Sequence, residues 1–239
     1  MRAIVTFHSI DDEPGPLSFP ASGLRMLLEE LAKSNIPVRP LDDLLSDTAA
    51  GVSLTFDDGL NSVYTNALPI LAEHNVLGHI FVVTGRVGGN SNWGGKKSWA
   101  PTFDIMNWEQ LETAAAHGHR IEAHTHHHPD LRTMNSGQIL EEMARADDEI
   151  VARIGRKPEF FAYPFGHYND VARKTAEQRY RASVTTELAF LPLQLELSTV
   201  PRIDSHYLRS RVLASRLGSP AGQAYIGLRH LIRRARALL

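Results

Sequence analysis

Short β-rich apolar runs alternate with helix-like segments along most of the chain, and this alternation restricts the fold more than any other feature. The strand candidates are residues 3–7, 52–56, 79–83, 120–123, 160–163, 182–185 and 198–203, with a weaker one at 36–39. The helix candidates are residues 23–34, 62–75, 107–117 and 136–154. Such alternation is typical of parallel strands covered by helices. The sequence therefore predicts an α/β fold.

The composition fits one globular domain and excludes several kinds of site. The 239 residues contain no internal repeat or low-complexity linker, so we expect a single domain over 1–239. There are no cysteines, which removes disulfides, thiolate metal sites and thiol nucleophiles. The net charge of −2 gives no bulk attraction for nucleic acid, so no nucleic-acid partner is expected. The oligomeric state stays open.

The N-terminal residues lack the features of a secretory signal. Met1 and Arg2 lead directly into a strand-like run, without a long apolar stretch or a small-residue cleavage site. No segment approaches the roughly 18 apolar residues of a membrane span. The expected location is therefore the cytoplasm.

Polar or special residues lie at or just past the C-terminal ends of the predicted strands. They are His8, Asp57, Asp58, His124, Pro164 and Arg202. In a β/α barrel these strand ends converge on one face, where active sites are built. We therefore expect these residues to lie close together on that face.

Two of these strand ends carry residues suited to metal-assisted hydrolysis. The segment LTFDDGLNS holds the adjacent carboxylates of Asp57 and Asp58. The segment HTHHHPDL holds the imidazoles of His124 and His128. Together they offer one carboxylate and two imidazoles to a divalent metal, with a second carboxylate left to act as a base.

Each segment also has a simpler interpretation. An acidic pair before glycine forms hairpin turns and helix caps, although this pair follows a strand and precedes a helix. Histidine-rich surface loops exist, and His124 could chelate with His127 instead of His128. Pro129 disfavours a helix at the residue before it, so the histidines are predicted to lie in a loop.

In this order, the motifs resemble those of the polysaccharide deacetylase family, also called the NodB homology domain or carbohydrate esterase family 4. TFDDG at 55–59, HTHHHP at 124–129 and FAYPFG at 161–166 match the three motifs of that family. The resemblance extends over about residues 3–204. It implies a distorted, TIM-barrel-like (β/α) barrel of about seven parallel strands. It also implies hydrolysis of N-acetyl groups from a carbohydrate, an amino-sugar-containing glycan or glycan precursor.

The resemblance carries the roles of the family onto matching residues. Asp58, His124 and His128 would bind one divalent metal ion, with zinc the expected ion. Asp57 would act as the general base, because one carboxylate must stay off the metal to take a proton. The backbone N–H of Phe165 would contact the developing oxyanion.

Two further roles have no direct motif match. Many members of the family have an arginine where this chain has Ala162, and that arginine orients the catalytic aspartate. Arg202 is predicted to replace it, the alternative being an ordinary surface ion pair. For the general acid, we favour His8, by resemblance to the branch with an N-terminal catalytic histidine that includes poly-N-acetylglucosamine deacetylases. His206 is the second candidate.

The longest irregular stretch, residues 85–105, is predicted to line the substrate groove, because long loops in compact domains are usually functional. Trp93 and Trp99 are expected to stack on sugar rings, the alternative being that they anchor the loop. Tyr163 and Pro164 are assigned to the same groove.

A basic amphipathic helix is predicted at about 220–239. Leu228, Leu231 and Ala235 share one face while the arginines lie mostly elsewhere, so this apolar face is expected to pack on the barrel. The alternative is peripheral contact with an anionic membrane surface, which would suit a lipid-linked sugar.

Two other functions stay open beside N-deacetylation. One is a different C–N hydrolase of the same fold that acts on a small cyclic amide or ureide. The other is a non-catalytic carbohydrate-binding relative, against which the complete acid and histidine set argues. The absence of an arginine at Ala162 keeps this second alternative open.

Overall fold

Seven short parallel strands close into a barrel in the order in which they occur along the chain. They are β1 (Arg2–Phe7), β2 (Gly51–Phe56), β3 (His79–Val82), β4 (Arg120–Ala123), β5 (Phe160–Ala162), β6 (Ala182–Leu188) and β7 (Val200–Asp204). The last strand closes the barrel by pairing Ile203 with Val5 of β1. This structure is a computed structural model that describes residues 1–93 and 101–237. It confirms the predicted distorted (β/α) barrel.

Helices cover the outside of the barrel. The α-helices are α1 (Ala21–Lys33), α2 (Leu41–Ser46), α3 (Leu68–Glu73), α4 (Trp108–Ala116), α5 (Ser136–Ile154), α6 (Asp170–Arg179), α7 (Arg211–Ser215) and α8 (Pro220–Ala237). The shorter turns are the π-helical Val63–Ala67 and the 3₁₀ segments Thr84–Arg86, Leu131–Thr133, Pro164–Gly166, Leu197–Thr199 and Ser205–Leu208. Asn107 and Asn135 begin α4 and α5 with capping boxes, which satisfy the first free amides of each helix.

The alternation of side chains along β2 directs every second residue, Asp57 included, into the barrel. Leu54 and Phe56 belong to the large core between the barrel and its helices. Because side chains of a strand alternate between its two faces, Ser53 and Thr55 point into the barrel, as does the next inward position, Asp57. All three of these polar residues are buried, so the barrel interior below the site is polar on this strand.

The segment at 62–75 is helical as predicted, but it begins differently. Residues Val63–Ala67 form a π-helical turn before α3. Pro69 lacks the N–H that would bond to the carbonyl of Thr65 in a regular helix, and this accounts for the widened turn. The weak strand predicted at 36–39 is reduced to one isolated bridge between Val38 and Val52.

Three helices had no candidate in the sequence, and their composition explains why. They are α2, α6 and α7, of which α2 and α7 have only 6 and 5 residues. In the ten residues of α6 only Ala172 and Ala176 are buried, so the apolar stripe that would indicate a helix is almost absent.

The C-terminal helix α8 forms, but it packs through a different face from the one predicted. Leu228 and Leu231 are 57% and 64% exposed, whereas Ile226 is 2% exposed. A Cβ atom at Gly222 would overlap the backbone carbonyl of Arg216, so only glycine allows this approach. The expectation that the face with Leu228 packs on the barrel is therefore wrong, because the close contact at Gly222 sets the rotation of the helix.

No helix in the described part of the chain is long and apolar enough to cross a membrane. Residues 238 and 239, the end of the predicted C-terminal helix, lie outside the described residues.

Candidate active site

The end of β2 gives two adjacent carboxylates different directions. The amide of Asp57 still follows the strand and donates to the carbonyl of Phe7 at 2.9 Å. Asp58 has a φ of 70°, in the left-handed region that non-glycine residues rarely adopt. The backbone therefore turns sharply between the two residues, and one carboxylate enters the barrel while the other faces the end of β4.

Asp57 forms a bidentate ion pair with Arg202. The Nη1 and Nη2 atoms of Arg202 donate to the Oδ1 and Oδ2 atoms of Asp57, both at 2.7 Å. Arg202 also donates from Nε to the carbonyl of Thr185 at 2.9 Å and from Nη1 to Oγ1 of Thr55 at 3.2 Å. Arg202 is 1% exposed, so the interpretation as an ordinary surface ion pair is wrong.

The ion pair determines the charge of Asp57. Burial acts to raise the pKa of Asp57, but the charge and hydrogen bonds of Arg202 outweigh burial and hold that pKa well below its usual range. The carboxylate is therefore ionised at neutral pH and kept in one orientation.

Asp58, His124 and His128 converge as a three-residue cluster. The Nε2 atoms of His124 and His128 lie 3.4 and 3.5 Å from Oδ1 of Asp58. One ligand atom from each residue lies within 4.8 Å of the other two, and all three residues are buried. One carboxylate and two imidazoles form a donor set suited to zinc or another divalent cation.

The tautomer of His124 is fixed by the neighbouring strand. Its Nδ1 lies 2.7 Å from the carbonyl of Ala162, the last residue of β5, and can only donate there. In the neutral ring the lone pair is therefore on Nε2, the atom that faces Asp58, as a metal ligand requires. The position that lacks the arginine of the family thus supports a candidate ligand through its backbone.

The loop after β4 is shaped by Thr125. Thr125 and His128 both have a positive φ, of 64° and 61°. The Oγ1 atom of Thr125 accepts from the backbone N–H of His128 at 3.0 Å and donates to the carbonyl of His124. This short closed turn, rather than a helix, brings both imidazoles to the same side, as predicted from Pro129.

The two histidines between the ligands face away from the cluster. The backbone amides of His126 and His127 donate to Oε2 of Glu142, and Nδ1 of His127 lies 2.7 Å from Oε1 of the same residue. Nδ1 of His126 lies 2.9 Å from Oγ1 of Thr84. The alternative in which His124 chelates together with His127 is therefore wrong.

Sequence reasoning missed two residues that hold this loop. Thr125 lies inside the HTHHHP segment, so the motif itself carried the signal. Glu142 lies in α5, 14 positions beyond His128, and nothing in the local sequence distinguishes it from the other acidic residues of that helix.

The turn after β5 lies directly against the cluster. Phe165 has a φ of 59°, and its ring centroid is 4.5 Å from that of His128. Pro164 is buried and Phe165 is 37% exposed. The turn therefore forms one wall of the site, and its strained backbone sets where the amide of Phe165 is held.

The structure brings His8 to the carboxylates but not His206. His8 follows β1 directly and is half-buried. Burial acts to raise the pKa of Asp57 and of Asp58, and His8 is close enough to both carboxylates to act against it. His206 is exposed, and its ring packs on Tyr207 with centroids 5.5 Å apart.

The predicted sugar-stacking residues lie elsewhere than expected. Trp93 is 7% exposed and its ring lies 4.3 Å from that of His128, so it supports a candidate ligand instead of offering a free face. Tyr163 is 1% exposed and its hydroxyl donates to the carbonyl of Ser198 at 2.9 Å. Its assignment to the groove is wrong, because its side chain is enclosed in the core. Trp99 lies outside the described residues.

Comparison with known proteins identifies the family. Residues 46–181 match the polysaccharide deacetylase family. This chain therefore belongs to the polysaccharide deacetylase family, as its three motifs predicted.

Individual relatives share either sequence or fold with the chain. A chitin deacetylase of Arthroderma benhamiae is 32% identical over 131 residues, which cover 54% of this chain and 32% of that protein. The structure of IcaB from Ammonifex degensii superposes with a TM-score of 0.75 at 20% identity, covering 89% of this chain and 96% of that one. Streptococcus pyogenes deacetylase PplD, in complex with acetate, gives 0.74 at 22% identity and covers 85% and 91%. At such identities the two structures show a common fold.

The chain spans less than half of the length of the curated relatives it matches.

Proposed function

We propose that this protein is a metal-dependent hydrolase that removes N-acetyl groups from an amino-sugar-containing glycan or glycan precursor. One observation carries the proposal. The same end of the barrel holds a three-residue cation cluster and, beside it, a second carboxylate that Arg202 holds in place through both of its oxygens. This division into ligands and a separate base is what hydrolysis of an unreactive amide needs.

The residues of the cluster fit a divalent cation, for which zinc is the first choice. In the neutral ring of His124 the proton lies on Nδ1, which donates to Ala162, and Nε2 is free for a cation, while Nε2 of His128 faces the same oxygen of Asp58. The indole of Trp93 and the ring of Phe165 enclose His128, which limits the access of water. A cation held there would supply Lewis acidity towards the acetyl carbonyl and its attacking water.

The residues of the chain then have distinct tasks in the proposed reaction. Asp57 accepts a proton from the water that adds to the acetyl carbon, and Arg202 keeps the accepting oxygens in place. The amide of Phe165 donates to the oxyanion. His8 protonates the nitrogen as the C–N bond breaks, so that acetate and a free amine leave. Each proton transfer has its own group, and no side chain serves twice.

The substrate class rests on the family and on its named relatives. A chitin deacetylase shares 32% of the matched sequence, and PplD of the same fold was solved with acetate, the expected product. Both names indicate deacetylation, and the chitin deacetylase indicates an N-acetylated sugar. An N-acetylated glycan or precursor is therefore the substrate we propose.

The test measures acetate release from a panel of N-acetylated oligosaccharides and precursors. The metal is first removed by chelation and then restored with zinc, cobalt or manganese. We expect release that disappears with the metal and returns with it. Asp57→Asn should keep one bound metal per chain while turnover falls by about 100- to 10,000-fold. Asp58→Asn serves as the matched variant and should lose the metal as well.

Two results would contradict the proposal. Metal-loaded protein that releases no acetate from any member of the panel would favour a different C–N hydrolase or a binding protein. An Asp57→Asn variant with normal turnover would remove the base from the mechanism.

A further inference from the structure

A cavity of about 430 Å³ lies between the end of β6 and the last turns of α8. Its walls are formed by Thr186, Glu187, Leu188, His230, Arg233 and Arg234. No residue of this cavity belongs to the metal cluster or to the proposed catalytic set. The cavity is open to solvent on one side, and basic residues from the last turns of α8 form part of its wall.

The cavity adjoins the turn that walls the candidate active site. Oγ1 of Thr186 lies 3.4 Å from the carbonyl of Phe165, to which it donates. A Cβ atom at Gly166 would overlap the side chain of Thr186, so the turn and β6 are in direct contact. The ring of Phe165 in turn lies 4.5 Å from that of His128. Phe165 thus contacts both a wall residue of the cavity and the proposed ligand His128.

The cavity carries unbalanced positive charge. Within the part of the chain that the structure describes, neither Arg233 nor Arg234 forms an ion pair or a side-chain hydrogen bond. Other arginines of this protein do, such as Arg179, which pairs with Asp147 at 2.6 Å. Glu187 is the one acidic residue on the cavity wall, and it forms no ion pair with either guanidinium.

We propose that this cavity is an anion subsite that binds a phosphate or carboxylate group carried by the N-acetylated substrate. The inference rests on the proposed function and adds a substrate class to it, namely an anionic amino-sugar compound. A guanidinium matches either group with paired N–H donors, and two guanidinia on one wall can together bind the terminal oxygens of a phosphate. Phe165 would be in contact with both the wall of this subsite and the proposed ligand His128.

The test compares matched substrates and matched variants. N-acetylglucosamine 1-phosphate and N-acetylmuramic acid carry the two kinds of anion, and neutral di-N-acetylchitobiose carries none. The double variant Arg233→Gln/Arg234→Gln removes the proposed contacts. Arg216→Gln/Arg145→Gln removes the same charge at exposed positions away from the cavity.

We expect the cavity variant to raise KM for at least one anionic substrate by about tenfold while kcat for that substrate stays the same. Both kinetic constants for the neutral substrate should be unchanged. The control variant should change none of these values. Glu187→Gln should lower KM for the same anionic substrate, since it removes the one negative charge of the wall. A phosphate source is indicated if only the 1-phosphate responds, and a carboxylate source if only the muramic compound responds.

Binding measured by calorimetry separates this proposal from the proposed function. If no substrate is hydrolysed, the function fails, yet binding of the 1-phosphate or muramic acid that is lost in the cavity variant still supports the subsite. Equal kinetics and equal binding of anionic and neutral compounds in the native protein and both variants would overturn the subsite.

Discussion

Two buried clusters of histidine and carboxylate lie in this barrel, one near each end, and they differ in how their polar atoms are used. Near the N-terminal ends of the strands, the backbone amide of Leu41 donates to Nε2 of His79 at 2.9 Å, and Nδ1 of His79 lies 3.3 Å from Oε1 of Glu122. The other oxygen of Glu122 accepts from the amides of Glu159 and Phe160 at 2.8 and 2.9 Å. Both ring nitrogens and both oxygens therefore have partners.

At the other end, ligand atoms face one another instead of donors. Nε2 of His124 and of His128 both point to one oxygen of Asp58, and Nδ1 of His128 is buried without a hydrogen-bond partner among the described residues. Residue type and burial are the same in the two clusters. What distinguishes a candidate site from a structural network is convergence of lone pairs that the protein itself does not satisfy.

The largest expected effect comes from removing a ligand. His124→Ala should abolish metal binding and lower turnover by about 1000-fold or more, because the Lewis acid supplies several kcal/mol to the reaction. Metal content by elemental analysis and acetate release would measure it. His127→Ala is the control, since its imidazole pairs with Glu142, and it should retain the metal. Normal metal content in His124→Ala would contradict the assignment.

Arg202→Lys tests whether the function of Asp57 depends on the paired N–H donors of the guanidinium. A lysine cannot hold both oxygens of Asp57, so we expect kcat to fall by about 100-fold while the metal stays bound. Arg179→Lys is the control, because Arg179 donates through two nitrogens to one oxygen of the buried Asp147 away from the site. Equal losses in the two variants would show that the effect of Arg202 is general destabilisation.

Glu122→Gln tests the N-terminal cluster. The amide can accept from the backbone of Phe160, but its NH₂ group then meets the N–H of His79. We expect a loss of about 1–3 kcal/mol in the free energy of unfolding, with metal binding and kcat per folded molecule unchanged. Urea unfolding and metal titration provide the two readouts. Loss of the metal in this variant would show that the two clusters are functionally coupled, so that the N-terminal cluster is not purely structural.

The smallest effect concerns His119, beside the N-terminal cluster. Burial lowers its pKa to about 4, and its Nδ1 accepts from the amide of Gly78 at 3.1 Å. Because the folded state holds the neutral ring, this contribution is complete above the ordinary pKa of about 6.5 and is lost as the pH falls towards 4. We expect a loss of about 1 kcal/mol at pH 5.5 relative to pH 7.5.

His119→Asn keeps an acceptor near Nδ1 and removes the titration, so its stability should vary less between these pH values. His206→Asn, at an exposed position after β7 at the other end of the barrel, should keep the native pH profile. If the stability of all three proteins varied with pH in the same way, His119 would not be a cause of the acid sensitivity.

The barrel and most of the cluster could be predicted from the sequence, because both produce local sequence patterns. Strand runs alternate with helices, and the acidic pair and the histidines follow strands directly. Arg202 could be selected by its position near the end of the last strand, but only the closed barrel shows that it reaches Asp57. Glu142 left no local signal, since its contacts bridge 15 and 16 residues.

The rotation of α8 was beyond sequence reasoning for a physical reason. Its leucines form the stronger apolar stripe, which predicts the packed face. The tight approach at Gly222 and the stacking of Arg229 on Tyr207, 5.1 Å from the ring centroid, decide otherwise. These contacts depend on the position of α7 and the preceding turn, which no pattern within the helix encodes.

The packing of Trp93 on His128 gives the protein an optical probe of its own site. The two rings lie 4.3 Å apart, close enough for the imidazole to affect indole emission directly. A cation bound to His128 would draw electron density from the imidazole, so we expect cation binding to change the intrinsic fluorescence. Trp108 instead has the guanidinium of Arg153 over its ring, 5.8 Å from the centroid, and Trp108→Phe would remove its share of the background emission.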